Sequence, residues 1–302
     1  MKVYAICIVK NEVDILRRTI ESAAVWADKI IIADHESNDG TWELINNELS
    51  KLPFVEVYGQ LKGIFNDDLR GEIYRKYEYL AEKGDWWCRL DSDEIYIDNP
   101  KDFLSTIPEK YAVARCAKFQ YYFTDKDLDI YNSDPEKYHF GNSIDNLKYY
   151  VCNESETRFF RHKGLGWNSG NIWPNTTWPN LIYNKHIRLK HFQYRYPAQI
   201  QMRIDIRSNV RQNSEVFSHE VRSDWKNRIS NKNKINQNND NLSFEQTWRD
   251  RVIDHNSLNY DDGVSYIITP ELMTCNIRPT YQQYIRSTIL FFQGKSRNIT
   301  TR

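Results

Sequence analysis

Apolar residues in the first hundred positions alternate between short continuous runs and runs spaced three or four residues apart. Continuous runs of branched and aromatic residues predict buried strands, and the wider spacing predicts helices with one apolar face. The strand patterns lie at Val3–Val9, Lys29–Ala33, Phe54–Tyr58 and Trp86–Leu90, and the helix patterns at residues 13–24, 41–49 and 67–82. Because strands and helices alternate at this spacing, we expect a parallel sheet covered by helices, which is an α/β fold.

The next hundred residues carry strand patterns without helices between them. These patterns lie at Tyr111–Phe123, 147–152, 157–162 and Ile187–Phe192. Strands that follow one another without helices predict that the later part of the sheet is mixed or antiparallel. The segment 164–184 is rich in Gly, Asn, Pro and Trp, a composition typical of binding loops. We predict one domain at residues 1–195 that binds a ligand and carries out catalysis.

The remaining residues, 196–302, have the pattern of a mainly helical region. Pro197 suits the first turn of a helix, and amphipathic spacing predicts further helices at 244–255 and 281–292. A polar, Asn-rich segment at 231–241 has the composition of a linker or loop. This C-terminal helical appendage could form a homodimer, contact a lipid-linked acceptor at the membrane surface or cover the sheet, and the sequence leaves these three roles open.

Charge and cysteine content narrow the function classes. The chain of 302 residues has 41 basic and 41 acidic side chains and a formal net charge of zero, whereas proteins that bind duplexes usually carry a basic domain. We therefore expect no nucleic-acid partner. The five cysteines are scattered without a close pair, which predicts free thiols. With no visible secretory signal and no apolar run of about 20 residues, we expect a cytoplasmic protein, with at most peripheral contact at the inner face of the membrane.

Aromatic residues make up 14% of the chain, with 9 Trp and 20 Tyr. Flat aromatic rings stack on sugar faces, but they also fill cores and subunit interfaces. Trp167, Trp173 and Trp178 lie in the Gly- and Asn-rich loop, where Asn168 and Asn171 could bond sugar hydroxyls. The sequence leaves two interpretations open: an acceptor-binding surface, or a loop that folds back on the sheet and buries its rings.

Polar clusters follow three of the predicted parallel strands, at Asn11–Glu12, Asp34–Asp39 and Asp91–Glu94. Ligands of open parallel sheets bind outside the carboxyl ends of the strands, so these clusters are expected to converge on one crevice. Asp91 and Asp93 are two residues apart and project to the same side, where they can reach a hard divalent cation. Such a pair suits Mg²⁺ or Mn²⁺ that carries a diphosphate, and the alternative is a solvated acidic turn.

Three segments in this region resemble motifs of the nucleotide-sugar glycosyltransferases of the family 2 type, which have the GT-A fold. The segments are VKNE at Val9–Glu12, DHESNDGT at Asp34–Thr41 and DWWCRLDSDE at Asp85–Glu94. The resemblance covers about the first hundred positions. It implies a GT-A-like, Rossmann-type mixed sheet flanked by helices, a nucleoside diphosphate sugar donor, a Mn²⁺ or Mg²⁺ cofactor and an inverting transfer.

The resemblance also implies roles for individual residues. Asp34 would contact the base or ribose, Asp91 would lie against the ribose, and Asp93 would ligate the metal, with His191 as a third ligand. The other residues implied in nucleotide-sugar binding are Val9, Asn11, Glu12, Ser37, Asp39, Ser92 and a helical arginine, either Arg70 or Arg75. Glu154 and Glu156 are the candidates for the catalytic base, although the Glu-Asp pair typical of the family is absent there. Trp167, Asn168 and Trp173 are the candidates for acceptor binding.

The leading hypothesis is a metal-dependent glycosyltransferase that moves a sugar from a nucleoside diphosphate, with UDP favoured, to a hydroxyl of a glycan or lipid-linked acceptor in bacterial surface polysaccharide synthesis. A nucleotidyltransferase is a second hypothesis, but such enzymes usually carry a Gly-rich phosphate loop after the first strand, where this chain has VKNE. A non-catalytic carbohydrate-binding or scaffold protein is a third, and the acidic pair argues against it.

Overall fold

The computed structural model describes residues 1–66, 68–138, 141–176, 181–213 and 247–273, together with residues 281, 284, 285, 288 and 289. The predicted polar segment 231–241, Trp178 and Cys275 lie outside the described residues, as does most of the predicted helix at 281–292.

Nine strands and eight helices are described. The strands are β1 (Val3–Val9), β2 (Lys29–Asp34), β3 (Val55–Gln60), β4 (Trp86–Asp91), β5 (Glu94–Tyr96), β6 (Tyr111–Tyr121), β7 (Tyr149–Arg161), β8 (Leu181–His191) and β9 (Asn259–Tyr260). The helices are α1 (Leu16–Ala23), α2 (Thr41–Asn47), α3 (Asp68–Tyr77), α4 (Pro100–Ser105), α5 (Asp125–Ser133), α6 (Ser143–Asn146), α7 (Pro197–Asn213) and α8 (Pro270–Met273).

The strands form a single mixed sheet in the order β3-β2-β1-β4-β7-β6-β8-β5, with β9 paired to β7. Strands β1 to β4 are mutually parallel where they pair, and β7 joins β4 in the antiparallel direction. Strand β6 then pairs antiparallel with β7 and parallel with β8. The predicted α/β class and the predicted change to a mixed sheet after the first hundred residues are both confirmed.

The sheet is covered on both faces because its central strands are apolar on both sides. All seven residues of β1 are buried, and successive side chains of a strand point to opposite faces. Cys7 packs in a cluster with Leu16 of α1 and Leu44 of α2, whereas Ile6 packs in another with Ile73 of α3. Helices α1 and α2 therefore lie against one face and α3 against the other.

A third apolar cluster lies around β6, β7 and the C-terminal segments. Ile200 and Ile204 of α7 are buried in it with Phe119 and Tyr150. The last described strand, β9, adds to β7 through Tyr149 and Tyr150, which pair with Tyr260 and Asn259. The described part of 196–302 thus shares a core and a sheet with the preceding residues, and the domain division after residue 195 stays a prediction.

The structure differs from the predicted elements in four places. Helices α5 and α6 lie between β6 and β7, where the sequence predicted strands without helices between them, and the capping box of Thr124 and Asp127 begins α5. The strand patterns at 147–152 and 157–162 belong to one strand, β7, because β6 pairs along most of its length. Residues 248–251 form a 3₁₀ turn with a capping box instead of part of an α-helix at 244–255. The third helix ends at Tyr77 and continues only as a 3₁₀ turn at Glu78–Leu80.

Cys7, Cys88, Cys116 and Cys152 are buried free thiols, as expected for these four described cysteines. Burial raises the pKa of each of them, which keeps the sulfurs protonated and unreactive at neutral pH. Within the described residues, no helix combines the length and the apolar character that a bilayer crossing requires.

Candidate functional site

The carboxyl ends of β1, β2 and β4 meet at one edge of the sheet. In the strand register, Val9 of β1 pairs with Asp34 of β2, and the neighbouring Ile8 pairs with Asp91 of β4. Strand β1 therefore lies between the two aspartates, and each is one strand spacing of about 4.8 Å away from it. Strands β2 and β3 lie on one side of β1, and β4 lies on the other, so the order of strands reverses between β1 and β4. Ligands of open α/β sheets bind at such a reversal.

The loop after β1 is held by side chains of the loop after β2. Asn11 adopts a left-handed conformation with φ 54°, which asparagine tolerates better than most residues, and its Oδ1 accepts from the Asn38 amide at 2.8 Å. Three consecutive amides of the first loop donate to the second: Asn11 to Ser37 Oγ at 2.9 Å, Glu12 to Thr41 Oγ1 at 2.9 Å and Val13 to Asp39 Oδ2 at 3.2 Å. The predicted residues Asn11, Ser37 and Asp39 therefore join the two loops to each other.

Asp34 is fully buried at the end of β2. Its Oδ2 accepts hydrogen bonds from the Ser37 amide at 3.1 Å and from Gln60 Nε2 at 3.0 Å. Its Oδ1 is buried without a hydrogen-bond partner. An unsatisfied buried acceptor costs free energy, so this oxygen is suited to a donor from a ligand.

Asp91 lies between two arginines. Its Oδ1 accepts from Arg70 Nη2 at 2.6 Å, and its Oδ2 accepts from Arg158 Nη2 at 3.0 Å. Burial opposes ionisation of Asp91, but Arg158 and Arg70 outweigh it and lower the pKa of this carboxyl. Of the two arginines that the sequence offered, Arg70 is the one bonded to Asp91. Arg75 instead donates to Asp68 and to the carbonyl of Trp167, both at 3.1 Å.

Arg158 of β7 connects Asp91 to two further carboxylates. Its side chain is 1% exposed and bonds Glu94, and it lies 3.0 Å from Glu156 Oε2. Burial raises the pKa of Glu94 to about 8 against the opposing effect of Arg158. A buried cation that faces three carboxylates fixes the end of β4 beside β7, so Glu156 lies next to the predicted nucleotide-sugar residues.

Asp93 and His191 are brought together as the sequence predicted. His191 Nε2 lies 3.4 Å from Asp93 Oδ1, and Nδ1 of the same ring bonds Gln120 Oε1 at 2.7 Å. The strand pairing of β5 with β8, which places Glu94 opposite His191, sets this distance. Burial opposes ionisation of Asp93, whereas His191 and Arg203 lower the pKa of this carboxyl, so it stays charged.

These two residues fit a divalent cation. Asp93 Oδ2 is buried without a hydrogen-bond partner, and His191 is oriented by Gln120 through the nitrogen that faces away from Asp93. A carboxylate and an imidazole both ligate Mn²⁺, and Mg²⁺ or Mn²⁺ on a diphosphate needs only one or two protein carboxylates. Within the described residues, the one group of three or more potential ligands with atoms mutually within 4.8 Å is a different one, Asp125, Asp254 and His255.

Glu12 belongs to a buried ion cluster that reaches Asp93. Its Oε2 accepts from Arg195 Nη2 at 2.5 Å, and its Oε1 accepts from Arg203 Nη1 at 2.6 Å. Arg195 also binds both oxygens of Asp14, at 2.7 and 2.8 Å. Arg203 Nη1 lies 3.3 Å from Asp93 Oδ2, so one guanidinium bridges the ends of β1 and β4. Arg158, Arg195 and Arg203 were missed by the sequence reasoning.

A signal for two of these arginines was present in the sequence. Arg195 and Arg203 follow His191 by four and twelve positions, at the start of the predicted helix at Pro197. Arg195 precedes the helix, so only the closeness of the two arginines to His191 in the chain could have placed them near it. Arg158 carried no such signal, because its partners lie 64 and 67 positions away in the chain.

The remaining predicted residues are less connected to this crevice. Val9 is a core residue whose carbonyl accepts from the His35 amide at 2.7 Å, and the carbonyl of buried Ser92 accepts from Thr19 at 2.6 Å. Glu154 lies within β7, and its 62% exposed side chain pairs with Lys118 at 2.8 Å.

The loop tryptophans have different surroundings. Trp167 is 3% exposed and packs on Tyr74 and Phe160, both with ring centroids at 5.7 Å, which is the buried-ring interpretation that the sequence left open. Trp173 is half-buried, and the guanidinium carbon of Arg89 lies 5.3 Å from its ring centroid. Asn168 is exposed, and its Oδ1 accepts from Asn175 at 3.0 Å.

The chain is distantly similar to several solved structures, among them a mannosyltransferase and a protein described as a glycosyltransferase. A mannosyltransferase of Pyrobaculum calidifontis, PcManGT, in complex with GDP-Man and Mn²⁺, is 11% identical with a TM-score of 0.40, over 71% of this chain and 65% of that chain. Residues 1–349 of TarS from S. aureus are 13% identical with a TM-score of 0.36, over 76% of this chain and 71% of that chain. The chain thus spans slightly less than two thirds of the mannosyltransferase.

A third similar structure is the apo form of the glycosyltransferase GlyE of Streptococcus pneumoniae, 14% identical with a TM-score of 0.25, over 38% of this chain and 29% of that chain. No protein-family model matches the chain, and no curated protein matches its sequence. The fold is a mixed α/β sheet: the parallel strands of the first hundred residues are followed by strands that pair in both directions, with helices on both faces.

Proposed function

We propose that this protein is a metal-dependent glycosyltransferase that transfers a sugar from a nucleoside diphosphate to a hydroxyl of a glycan or lipid-linked acceptor. The observation that supports the proposal is that Asp34, Asp91 and Asp93 lie at the carboxyl ends of β2 and β4, on the two sides of β1 at one edge of the sheet. Two of the three, Asp34 and Asp93, have a buried oxygen without a hydrogen-bond partner. Acidic side chains at such an edge can accept hydrogen bonds from a ribose and from a donor group of a base, and they can ligate the cation that binds a diphosphate.

The loop after β1 argues against nucleotidyl transfer through a phosphate-binding loop. Such a loop binds phosphates with free backbone amides. Here the amides of Asn11, Glu12 and Val13 donate to the side chains of Ser37, Thr41 and Asp39. These amides are therefore committed within the protein, and the diphosphate would be bound by a metal ion and cationic side chains.

The hydrogen bonds of Asp34 favour uracil as the base. Both donors to this carboxylate, the Ser37 amide and Gln60, bind Oδ2, which leaves Oδ1 as the oxygen that lacks a partner. Uracil presents one imide N–H between two carbonyls, whereas guanine presents two adjacent donors on its pairing edge. One available oxygen matches one donor, so we favour UDP over GDP.

Glu156 is the better of the two candidate bases. It is 32% exposed and connects through Arg158 to Asp91, whereas Glu154 is 62% exposed and makes the shorter contact of the two with Lys118, at 2.8 Å against 3.7 Å. In the transfer, the acceptor hydroxyl oxygen forms a bond to the anomeric carbon, and the bond from that carbon to the diphosphate oxygen breaks with its electron pair. Glu156 takes the hydroxyl proton. Attack from the face opposite the diphosphate gives inversion.

Asp93 and His191 would hold the divalent cation. When bound, the cation stabilises the negative charge that develops on the departing diphosphate. Gln120 holds the imidazole of His191 in its orientation, and Arg203 supplies a positive charge on the other side of Asp93. Arg70 and Arg158 keep Asp91 ionised, so that it can accept hydrogen bonds from ribose hydroxyls.

Calorimetric titration with UDP tests the proposal. We expect UDP to bind in the presence of Mn²⁺ and to bind at least tenfold more weakly without it, and GDP to bind more weakly than UDP. Asp93→Asn should remove most of the Mn²⁺ dependence, because the variant keeps the side-chain shape and loses one anionic ligand. Asp145→Asn is the matched control, since Asp145 is an exposed carboxylate that pairs with Arg18 on the surface.

The result that would contradict the proposal is an absence of binding to UDP, GDP and other nucleoside diphosphates with Mn²⁺. That outcome would favour a non-catalytic carbohydrate-binding protein. Release of pyrophosphate from a nucleoside triphosphate and a sugar phosphate would instead support a nucleotidyltransferase. Full Mn²⁺-dependent binding by Asp93→Asn would remove Asp93 from the metal site.

A further inference from the structure

Arg203 occupies the side of Asp93 that a cation needs. Its Nη1 lies 3.3 Å from Asp93 Oδ2, and this oxygen is buried and makes no hydrogen bond. Arg203 and Asp93 therefore form an ion pair without a hydrogen bond to this oxygen. A cation can reach this oxygen only if the guanidinium moves.

Moving Arg203 leaves each of the two carboxylates with another polar partner. Glu12, its other partner, keeps Arg195, which is fully buried and donates to Glu12, Asp14 and the carbonyl of Phe192. Asp93 keeps His191 at 3.4 Å. Arg203 is also the less enclosed of the two arginines, with a side chain 20% exposed against 0% for Arg195. Arg195 is thus fixed by its contacts, and Arg203 can be exchanged.

The charge of the cluster limits metal binding without nucleotide. Glu12, Asp14 and Asp93 face Arg195 and Arg203, and burial raises the pKa of Glu12 to about 7, so this cluster is close to neutral at pH 7. A divalent ion alone would give the cluster a positive excess beside Arg203. Like charges in a partly buried site repel strongly. A diphosphate brings the negative charge that both the ion and a displaced guanidinium can bind.

We propose that Arg203 is an exchangeable countercharge: it neutralises Asp93 in the free protein and transfers to the diphosphate when the metal ion and nucleotide bind. The inference rests on the proposed function and deepens it, because it makes metal and nucleoside diphosphate binding strongly cooperative. Arg203 then acts as a positioning residue for the diphosphate. By linkage, the factor by which UDP tightens Mn²⁺ binding equals the factor by which Mn²⁺ tightens UDP binding.

The test measures this factor directly. Mn²⁺ is titrated into the protein with and without saturating UDP, and free Mn²⁺ is followed by electron paramagnetic resonance. For the wild-type protein we expect UDP to tighten Mn²⁺ binding at least tenfold. In Arg203→Gln we expect Mn²⁺ alone to bind about tenfold more tightly, Mn²⁺ with UDP to bind more weakly, and the coupling factor to fall toward 1. Arg203→Lys keeps the charge and should retain part of the coupling.

Arg207→Gln is the matched control, because Arg207 lies one helical turn further along α7 and its Nη1 contacts Tyr194 Oη at 3.5 Å. Its coupling factor should equal that of the wild type. An unchanged factor in Arg203→Gln overturns the role of Arg203 and leaves the proposed function in place. A wild-type factor near 1, or a wild-type protein that binds no nucleoside diphosphate, overturns the proposed function as well. If Arg203→Gln fails to fold, Arg203→Lys decides the question, because an unchanged factor in that variant also overturns the role of Arg203.

Discussion

At the scale of single residues, two carboxylates of the site are each bonded to two arginines. Asp91 bonds Arg70 and Arg158, and Glu12 bonds Arg195 and Arg203. Buried charges are stable only when paired: the arginines keep Asp91 ionised, and at Glu12 they oppose burial, which raises the pKa of this carboxyl to about 7. The site is consequently close to neutral before any ligand binds. A nearly neutral site fits a ligand in which a divalent cation already balances much of the charge of the diphosphate.

The first prediction concerns the catalytic base. Glu156→Gln should lower the turnover of sugar transfer about 10²- to 10⁴-fold, because the amide cannot take the acceptor proton. Glu154→Gln, on the same strand two residues earlier, should change turnover by less than about threefold, because Glu154 contacts Lys118 at the surface. Both variants should bind UDP with Mn²⁺ as the wild type does. Equal turnover in Glu156→Gln and the wild type would exclude Glu156 as the base.

At the scale of elements, a buried carboxylate contributes to the attachment of the C-terminal segment to the sheet. Asp261 Oδ2 accepts from Tyr121 of β6 at 2.5 Å and from Lys190 of β8 at 2.6 Å, and the Asp261 amide donates to the carbonyl of Lys148 at 2.7 Å. These bonds add to backbone bonds elsewhere in the segment, such as that of the Thr269 amide with the carbonyl of Cys152.

This attachment should depend on pH. Burial opposes ionisation of Asp261, but Lys190 and Tyr121 outweigh it and lower the pKa of the carboxyl below its unfolded value of about 3.9. A lowered pKa contributes stability that is present above the unfolded pKa and is lost as pH falls toward the folded one. We expect Asp261→Asn to reduce the free energy of unfolding by about 1–3 kcal/mol at pH 7, and by less below about pH 4.

Urea unfolding of both proteins from pH 3 to pH 8 measures this difference. Asp262→Asn is the control, since exposed Asp262 accepts the amides of Val264 and Ser265 through one oxygen that asparagine retains. A difference between wild type and Asp261→Asn that stays constant over the whole range would show that the carboxylate charge does not contribute.

At the scale of the whole molecule, Arg158 lies where the parallel and antiparallel parts of the sheet join. It extends from β7 and bonds Asp91 at the end of β4 and Glu94 at the start of β5. Strand β7 pairs antiparallel with β4, so this residue bonds carboxylates of both parts of the sheet beside that junction. The same ion cluster therefore supports the crevice and the continuity of the sheet.

We expect Arg158→Met to reduce the free energy of unfolding by about 3–5 kcal/mol, because it leaves buried carboxylates without their cation. The loss should appear in one cooperative urea transition, since the sheet unfolds as a unit. Arg18→Met is the control: Arg18 pairs with Asp145 with both side chains largely exposed, and such surface pairs contribute about 0–1 kcal/mol. A loss no larger than that of the control would mean that the cluster contributes little to stability.

The local pattern of residues was sufficient to predict the parallel part of the fold and the ends of its strands. Strand β1 was predicted at its observed bounds, and β2 and β4 each within one residue. The reason is physical: strands buried on both faces read as continuous apolar runs, and their ends appear where polar residues begin. The convergence of the Asp34 and Asp91 clusters followed from the parallel topology, because parallel strands end at the same edge.

Tertiary structure alone decided which side chains complete the crevice. It selected Arg70 over Arg75, placed Arg158 and Arg203 beside the acidic pair, and buried Trp167 in the core. These outcomes depend on the pairing of β7 with β4 and of β8 with β5, and on the packing of α7, which bring together residues far apart in the chain. A local pattern records whether a residue is buried in its own strand or helix, but the partner of a charged side chain is set by the order in which distant strands assemble.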